Sequence, residues 1–216
     1  TPTPSRAPTP SPSAIPTARP PQSPTRALTA PPTPAPVTSE LIGVWQPAPG
    51  SWAGYRVVID VPIFGQSEVV GRTETISGSA RVEPGRGEVL IAEARFVGDL
   101  RNLRSGEQLV DNQVRQLLQV DQFPEAEFVI TRPVPLPPDD QVRAGAVVPL
   151  PGRLTLLGQS RDVVVPSRMV FDGTQLVVTA SIEFNLADFG ISSDQGLFTV
   201  SEQAAFDFEL RLERGG

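Results

Sequence analysis

The segment from Ala205 to Glu213, near the end of the chain, alternates apolar and charged side chains strictly from Phe206 onward. Every second residue there is phenylalanine or leucine, and the residues that follow them are acidic or arginine. Successive side chains of a β-strand point to opposite faces, so only a strand with one buried face and one wet face satisfies a period of two. The segment therefore predicts a long amphipathic β-strand.

Seven further segments show the same β pattern, and turn residues separate them. The other predicted strands are Tyr55 to Ile59, Ile76 to Val82, Leu90 to Leu100, Glu127 to Thr131, Arg153 to Leu157, Val163 to Phe171 and Leu176 to Leu186. The predicted turns include Pro84-Gly85-Arg86-Gly87, Pro137-Pro138-Asp139-Asp140 and Asp172-Gly173, because these residue types suit turn conformations. The sequence therefore predicts an all-β domain.

One helix is predicted between Ser105 and Val120. Its apolar side chains recur at the spacing of a single helical face, and they are Val110, Val114, Leu117 and Leu118. Ser105 and Gln108 form a predicted capping box, and Asp111 and Arg115 a predicted i,i+4 pair. A single helix among long strands favours an antiparallel barrel that the helix covers at one end or side. A β-sandwich is the alternative, because strands alone do not reveal whether a sheet closes.

The first 40 residues have a different composition from the rest of the chain. Thirteen of the 25 prolines precede residue 39, among threonine, serine and alanine. Such a segment cannot bury enough apolar surface to offset the entropy of ordering it. We therefore predict a disordered linker over residues 1–40 with polyproline II bias, and one β domain over residues 41–216. A spacer that holds the domain off a cell surface, with an anchor upstream, is one interpretation, and a plain linker is the other.

Three absent residue types exclude most catalytic chemistry. The chain has no cysteine, histidine or lysine, so it lacks Ser-His-Asp and Cys-His triads, zinc ligands of those types, Schiff-base lysines and disulfides. We expect no cofactor and no metal site. The net charge of −6 argues against nucleic acid as a partner. An enzyme using only carboxylates and arginine would need a buried acid, yet Asp207 and Glu209 lie on the wet face of their strand.

The inner faces of two predicted strands carry small side chains. The inner set is Leu90, Ala92, Ala94, Phe96 and Gly98 on one strand, and Ile76, Gly78, Ala80 and Val82 on another. A barrel of about eight strands is just filled by its side chains, or holds one small ligand when they are small. No charged residue belongs to these sets, so any such space would favour an apolar ligand. A tapering barrel that larger side chains fill in the next layer remains the alternative.

Three motifs in order resemble the signature of YceI-like proteins. They are Asp111-Asn112-Gln113-Val114-Arg115 followed by Phe123-Pro124-Glu125-Ala126-Glu127-Phe128, then Gly152 to Val163, then the Asp188-Phe189-Gly190-Ile191 bend, in which we expect Phe189 to point inward. The resemblance covers about residues 51–213. The sequence departs from the family pattern at Asp162, where proline is usual, at Leu157, often polar or histidine, and at Val110, often arginine.

This resemblance implies a lipocalin-like antiparallel barrel of eight strands, with a helix closing part of it. It also implies a periplasmic or secreted protein that binds a polyisoprenoid or similar amphiphile, without a shared catalytic reaction. The residues that match the helix face over the cavity and the inward strand positions are Val114, Leu117, Leu118, Phe128, Ile130, Leu154, Leu156, Ile182, Phe184, Phe206 and Phe208. Ordinary core packing is the alternative role for each of them.

The prediction is therefore a non-catalytic binding protein of the cell envelope, tethered outside the cytoplasm. It would hold an isoprenoid, quinone-like or fatty-acyl molecule by burying it inside the barrel. The alternative is a structural or adhesive surface module whose barrel is filled and whose outer face does the work.

Overall fold

The computed structural model describes residues 38–61, 65–192 and 199–215. The predicted disordered linker spans residues 1–40, and residues 1–37 of it lie outside the described residues. The strands are β1 (Gly43–Pro47), β2 (Trp52–Val61), β3 (Gly65–Thr73), β4 (Ile76–Pro84), β5 (Val89–Asp99), β6 (Glu125–Ile130), β7 (Val134–Leu136), β8 (Ala146–Leu156), β9 (Gln159–Phe171), β10 (Leu176–Asn185) and β11 (Thr199–Arg214). The α-helices are α1 (Gln108–Leu117) and α2 (Asp139–Ala144), and 3₁₀ turns occupy Leu100–Asn102 and Leu186–Phe189.

Eight strands form a closed antiparallel barrel, in the order β1, β4, β5, β6, β8, β9, β10 and β11. The short strand β1 closes it, because Trp45 pairs with Ala80 of β4 on one side and with Arg214 of β11 on the other. The predicted eight-stranded barrel is confirmed, and the sandwich alternative was wrong.

The hairpin of β2 and β3 extends the barrel wall at one end. Strand β11 is 16 residues long, whereas β1 has only five. Residues 199–209 of β11 therefore pair with β2 instead, and β3 adds to the outer edge of β2. Among the described residues β3 pairs with no strand other than β2. The backbones of Arg72 on β3 and Arg104, which follows β5, bond to each other at 2.9 Å in both directions. The wall at this end is thus made by β2, β3 and the segment that follows β5.

Helix α1 lies in the predicted segment, but its local contacts differ from those predicted. The helix begins at Gln108 with Glu107 as its N-cap residue, so Ser105 does not cap it. The Ser105 hydroxyl and amide both donate to the Asp111 carboxylate at 2.7 Å. Since that carboxylate is engaged, Arg115 donates instead to the Asp111 carbonyl at 3.2 Å. The predicted capping box and carboxylate pair were therefore wrong.

A second helix, α2, replaces the turn predicted around Pro137 to Asp140. Asp139 accepts hydrogen bonds from the Ser39 hydroxyl at 2.6 Å and from the Glu40 amide at 2.8 Å. Val142 is fully buried in the same apolar cluster as Trp45. Helix α2 and the chain before β1 thus cover one end of the barrel, called here the Trp45 end. The opposite end, beneath α1, is called the helix end.

Candidate functional site

Two internal voids follow one another along the barrel. The larger has a volume of about 470 Å³ and lies at the helix end, and the smaller, of about 80 Å³, lies towards Trp45. Four residues border both voids, namely Ala53, Gly98, Ala126 and Phe206. Three of these four are alanine or glycine. The larger volume falls within the range of about 300–1,000 Å³ that is typical of small-molecule sites. We refer to it as the cavity.

Helix α1 forms the roof of the cavity. Its predicted apolar stripe faces inward, since Val110, Val114 and Leu117 all border the cavity. Leu109, on the other side of the helix, is 83% exposed. The side walls come from β2, β3, β11 and the two 3₁₀ turns. The cavity therefore lies between helix α1 and the strands at this end of the barrel.

Small inward side chains create the internal space, although the prediction misplaced some of them. On β4, Ala80 and Val82 border the smaller void, as the inner set predicted. On β5 the inward residues are Val89 and Ile91 rather than Leu90 and Ala92. The register shifts there, because Arg81 pairs with Glu93 while Val82 pairs with Ile91, which leaves Ala92 as an extra residue. This β-bulge reverses the faces of the residues before it.

Ten of the eleven predicted lining residues border one void or the other. Those on the cavity are Val114, Leu117, Leu118, Leu156, Phe184 and Phe206. Those on the smaller void alone are Phe128, Leu154, Ile182 and Phe208. Ile130 is buried in the apolar cluster around Trp45 and borders neither void. Phe206 stands on the shared wall between the two.

Sequence reasoning missed the polar side chains that border the cavity. They are Tyr55, Thr73, Gln113, Gln116, Gln119 and Ser192. Two had a usable signal: Gln113 lies three residues after Val110 and so shares its helical face, and Tyr55 lies two residues before Val57 on an inward-facing strand pattern. The sequence prediction named only the apolar residues on the same helix face and the same strands.

Tyr55 is the most unusual of these polar residues. Its ring lies across Gly71 on β3: a Cβ atom at residue 71 would sit 2.3 Å from Cε1 of Tyr55. Tyr55 borders the cavity, and its hydroxyl is buried and has no hydrogen-bond partner among the described residues. A buried polar group left unpaired costs about 1–3 kcal/mol. Burial, and then the negative charge of Asp111, raise the pKa of Tyr55, so its hydroxyl stays protonated.

No ionised side chain borders the cavity among the described residues. Glu127 borders the smaller void, but its carboxylate is paired with Arg95. The described part of the chain also holds no cluster of three or more acidic residues that could ligate a metal ion. The interior can therefore bury an apolar molecule, and it presents hydroxyls and amides rather than charges to any polar group.

The predicted bend at Asp188 is confirmed, with Phe189 buried against Phe184 at 5.3 Å between ring centroids.

The family model described as YceI-like domain matches residues 52–212, most of the chain. The chain belongs to the YceI-like family. A solved polyisoprenoid binding domain from Saccharophagus degradans, implicated in plant cell wall breakdown, resembles this YceI-like protein with a TM-score of 0.60 and 17% identity. That likeness covers 81% of the chain and 99% of the Saccharophagus domain.

Two further solved structures share the fold of this YceI-like protein. Burkholderia cenocepacia BcnA matches with a TM-score of 0.56 and 16% identity, over 74% of this chain and 95% of BcnA. A Campylobacter jejuni YceI protein matches with a TM-score of 0.54 and 16% identity, over 69% of this chain and 87% of its own. A search of curated proteins finds no match. No helix of the described residues combines the length and apolarity needed to cross a membrane.

Proposed function

We propose that this YceI-like protein binds a polyisoprenoid or a comparable apolar amphiphile in the cavity and does not transform it. The observation that carries the proposal is the cavity of about 470 Å³ beneath α1, most of whose lining residues are apolar. Binding would rest on solvent exclusion, at about 25 cal/mol for each Å² of apolar surface removed from water. The polyisoprenoid binding named for the Saccharophagus domain, which has the same fold, supports this ligand class.

The lining supports a binding role rather than catalysis. General acid–base chemistry needs a group in contact with the substrate that exchanges its proton near the working pH. Among the described residues around the cavity the titratable side chain is Tyr55, whose pKa is raised, and the others offer amides, aliphatic hydroxyls and apolar groups. A tapering, filled barrel is the alternative that would favour a structural or adhesive module. A cavity of this size counts against that alternative.

We further propose that the protein works in the cell envelope, outside the cytoplasm, tethered through its Pro/Thr/Ser-rich first 40 residues. Their composition, with many prolines and few apolar side chains, supports an extended spacer. The net charge of −6 supports a lipid-like partner over nucleic acid.

The direct test is to extract the purified protein with organic solvent and to identify the released molecules by mass spectrometry. We expect an isoprenoid, quinone or acyl lipid in near-stoichiometric amount. Isoprenoids added back to the extracted and refolded protein should raise its stability, by about 2.7 kcal/mol at 100 times the dissociation constant. A protein that releases no lipid and gains no stability from any added isoprenoid would contradict the proposal.

A further inference from the structure

The polar residues that border the cavity in the described part of the chain are uncharged, and this bears on the ligand that the cavity can hold. The inference rests on the proposed function. Tyr55 and Thr73 come from the β2–β3 hairpin, and the three glutamines come from α1 and the residues directly after it. Of the glutamines, Gln113 is half-buried while Gln116 and Gln119 are exposed. Hydrogen-bonding groups therefore border the cavity both at its roof, on and directly after α1, and at its wall, on the β2–β3 hairpin.

An anionic group would find no cation to pair with among the described residues that border this cavity. The arginines around the helix end are engaged elsewhere: Arg115 with Asn112 at 3.0 Å, Arg104 with the Leu103 carbonyl at 2.7 Å, and Arg72 over the ring of Trp52 at 4.0 Å. Asp111 on α1, between the lining residues Val110 and Gln113, is a buried acidic residue that is 7% exposed. Burying an unpaired anion beside another anion is strongly unfavourable.

An uncharged oxygen, by contrast, would satisfy a group that the protein leaves unpaired. The Tyr55 hydroxyl keeps its proton and has no acceptor among the described residues. That hydroxyl lies over Gly71, which has no side chain, and Tyr55 itself borders the cavity, so a ligand in the cavity contacts the residue that carries the unpaired hydroxyl. The Gln113 amide can both donate and accept.

We propose that the ligand of this cavity carries an uncharged polar group, such as an alcohol or ketone oxygen, and that Tyr55 and Gln113 select it over a phosphorylated head group. Tyr55 donates a hydrogen bond to the ligand oxygen, and Gln113 supplies a second one. The apolar chain of the ligand then occupies the space beneath α1 and towards Phe206.

Farnesol and farnesyl monophosphate test the head-group preference, because they share one hydrocarbon chain and differ in charge. We expect farnesol to bind at least tenfold more tightly by isothermal titration calorimetry of the full chain. Equal binding, or tighter binding of the phosphate, would overturn the inference while leaving the proposed function intact. If neither molecule binds, and the hydrocarbon farnesene does not bind either, the proposed function fails as well.

The variant Tyr55→Phe tests the role of the hydroxyl alone. We expect its affinity for farnesol to fall about tenfold, the effect of one hydrogen bond of typical to high strength, and its affinity for farnesene to stay unchanged. The ligand-free variant should melt about 2–4 °C higher, since it lacks the unpaired hydroxyl. Equal losses for farnesol and farnesene, or a lower melting temperature, would show that Tyr55 is only structural.

Gln113→Arg provides the converse test, because it places a cation at the roof of the cavity. We expect farnesyl monophosphate to bind this variant more tightly than the wild type, with farnesene unaffected. Gln113→Leu is the matched control without charge, and it should weaken farnesol without improving the phosphate. A phosphate affinity that is unchanged in Gln113→Arg would contradict the proposed placement of the polar group beside residue 113.

Discussion

The ring of Tyr55 and the backbone of Gly71 occupy adjoining space on neighbouring strands, with no room for a side chain between them. Tyr55 pairs directly with Gly71 in the β2–β3 hairpin, and a Cβ atom at residue 71 would lie within 2.7 Å of two ring carbons and the hydroxyl oxygen of Tyr55. Real Cβ atoms do not approach so closely, so any other residue at this position must displace the ring. The missing side chain at Gly71 thereby leaves the space that the Tyr55 ring and hydroxyl occupy.

Gly71→Ala should lower the free energy of unfolding by about 1–3 kcal/mol, the usual cost of overpacking. In a Tyr55→Leu background the same change should cost little, because the opposing ring is gone. Urea unfolding of the four proteins in this double-mutant cycle measures the coupling. Gly98→Ala is the control, because its Cβ would meet Ile76 at an ordinary 3.5 Å. Additive effects of the two substitutions would contradict the packing relationship.

Filling the roof of the cavity should reduce ligand binding without unfolding the protein. Val114 faces the cavity from α1, so Val114→Phe places a ring in the open volume. We expect the affinity for an added isoprenoid to fall tenfold or more, while ligand-free stability stays level or rises by about 0.5–2 kcal/mol, as cavity filling usually does. Leu109→Phe on the exposed side of the same helix is the matched control. Equal binding by both variants would place the ligand elsewhere.

The long alternating strands could be predicted from sequence because each buries one face. All eight predicted segments are strands, and β10 and β11 pair over ten residues, from Leu176 opposite Leu212 to Asn185 opposite Gln203. Strand β3 was not predicted, because its first four side chains are all exposed and so give no alternation. Strand β1 was not predicted either, because its five residues are too few to show a clear alternation, although this strand closes the barrel.

The site was harder to predict than the fold, for two physical reasons. A bulge changes the phase of a strand without changing its composition, so the inner face of β5 before Ala92 could not be read from a simple period of two. A residue that borders a void also has the same pattern as a residue packed in a core. Ile130 and Phe206 are both inward aromatic or aliphatic residues, yet only Phe206 borders a void.

The two tryptophans should contribute very differently to stability. Trp45 is fully buried, contacts Phe171 edge to face at 5.8 Å and donates from Nε1 to the Leu41 carbonyl at 2.8 Å. Trp45→Ala should therefore cost about 3–5 kcal/mol. Trp52→Ala should cost less, since Trp52 is only half-buried and loses chiefly its contact with Arg72. Urea unfolding monitored by circular dichroism checks the order, and a larger cost for Trp52→Ala would contradict the role of Trp45 in closing its end of the barrel.

Acid should weaken the contact between β2 and β11 through Asp207. Burial alone would raise the pKa of Asp207, but hydrogen bonds from Arg56 and Ser181 and the charge of Arg56 outweigh it, so its pKa lies below the ordinary 3.8. A carboxylate with a lowered pKa stabilises the fold fully above pH 3.8, and this stabilisation is lost as the pH falls from there through the folded-state pKa. Because Arg56 is 40% exposed, the loss should stay below about 1 kcal/mol.

Asp207→Asn isolates that contribution. The variant should be less stable than the wild type at pH 6, and the difference should shrink as the pH falls below 3.8, because both proteins then carry a neutral group at residue 207. Urea unfolding at a series of pH values between 6 and 2.5 measures it. Asp162→Asn is the control, since Asp162 pairs with Arg153 at 3.0 Å but is 72% exposed, and it should change stability little at any pH. A stability difference between Asp207→Asn and the wild type that grows towards low pH would contradict the lowered pKa of Asp207.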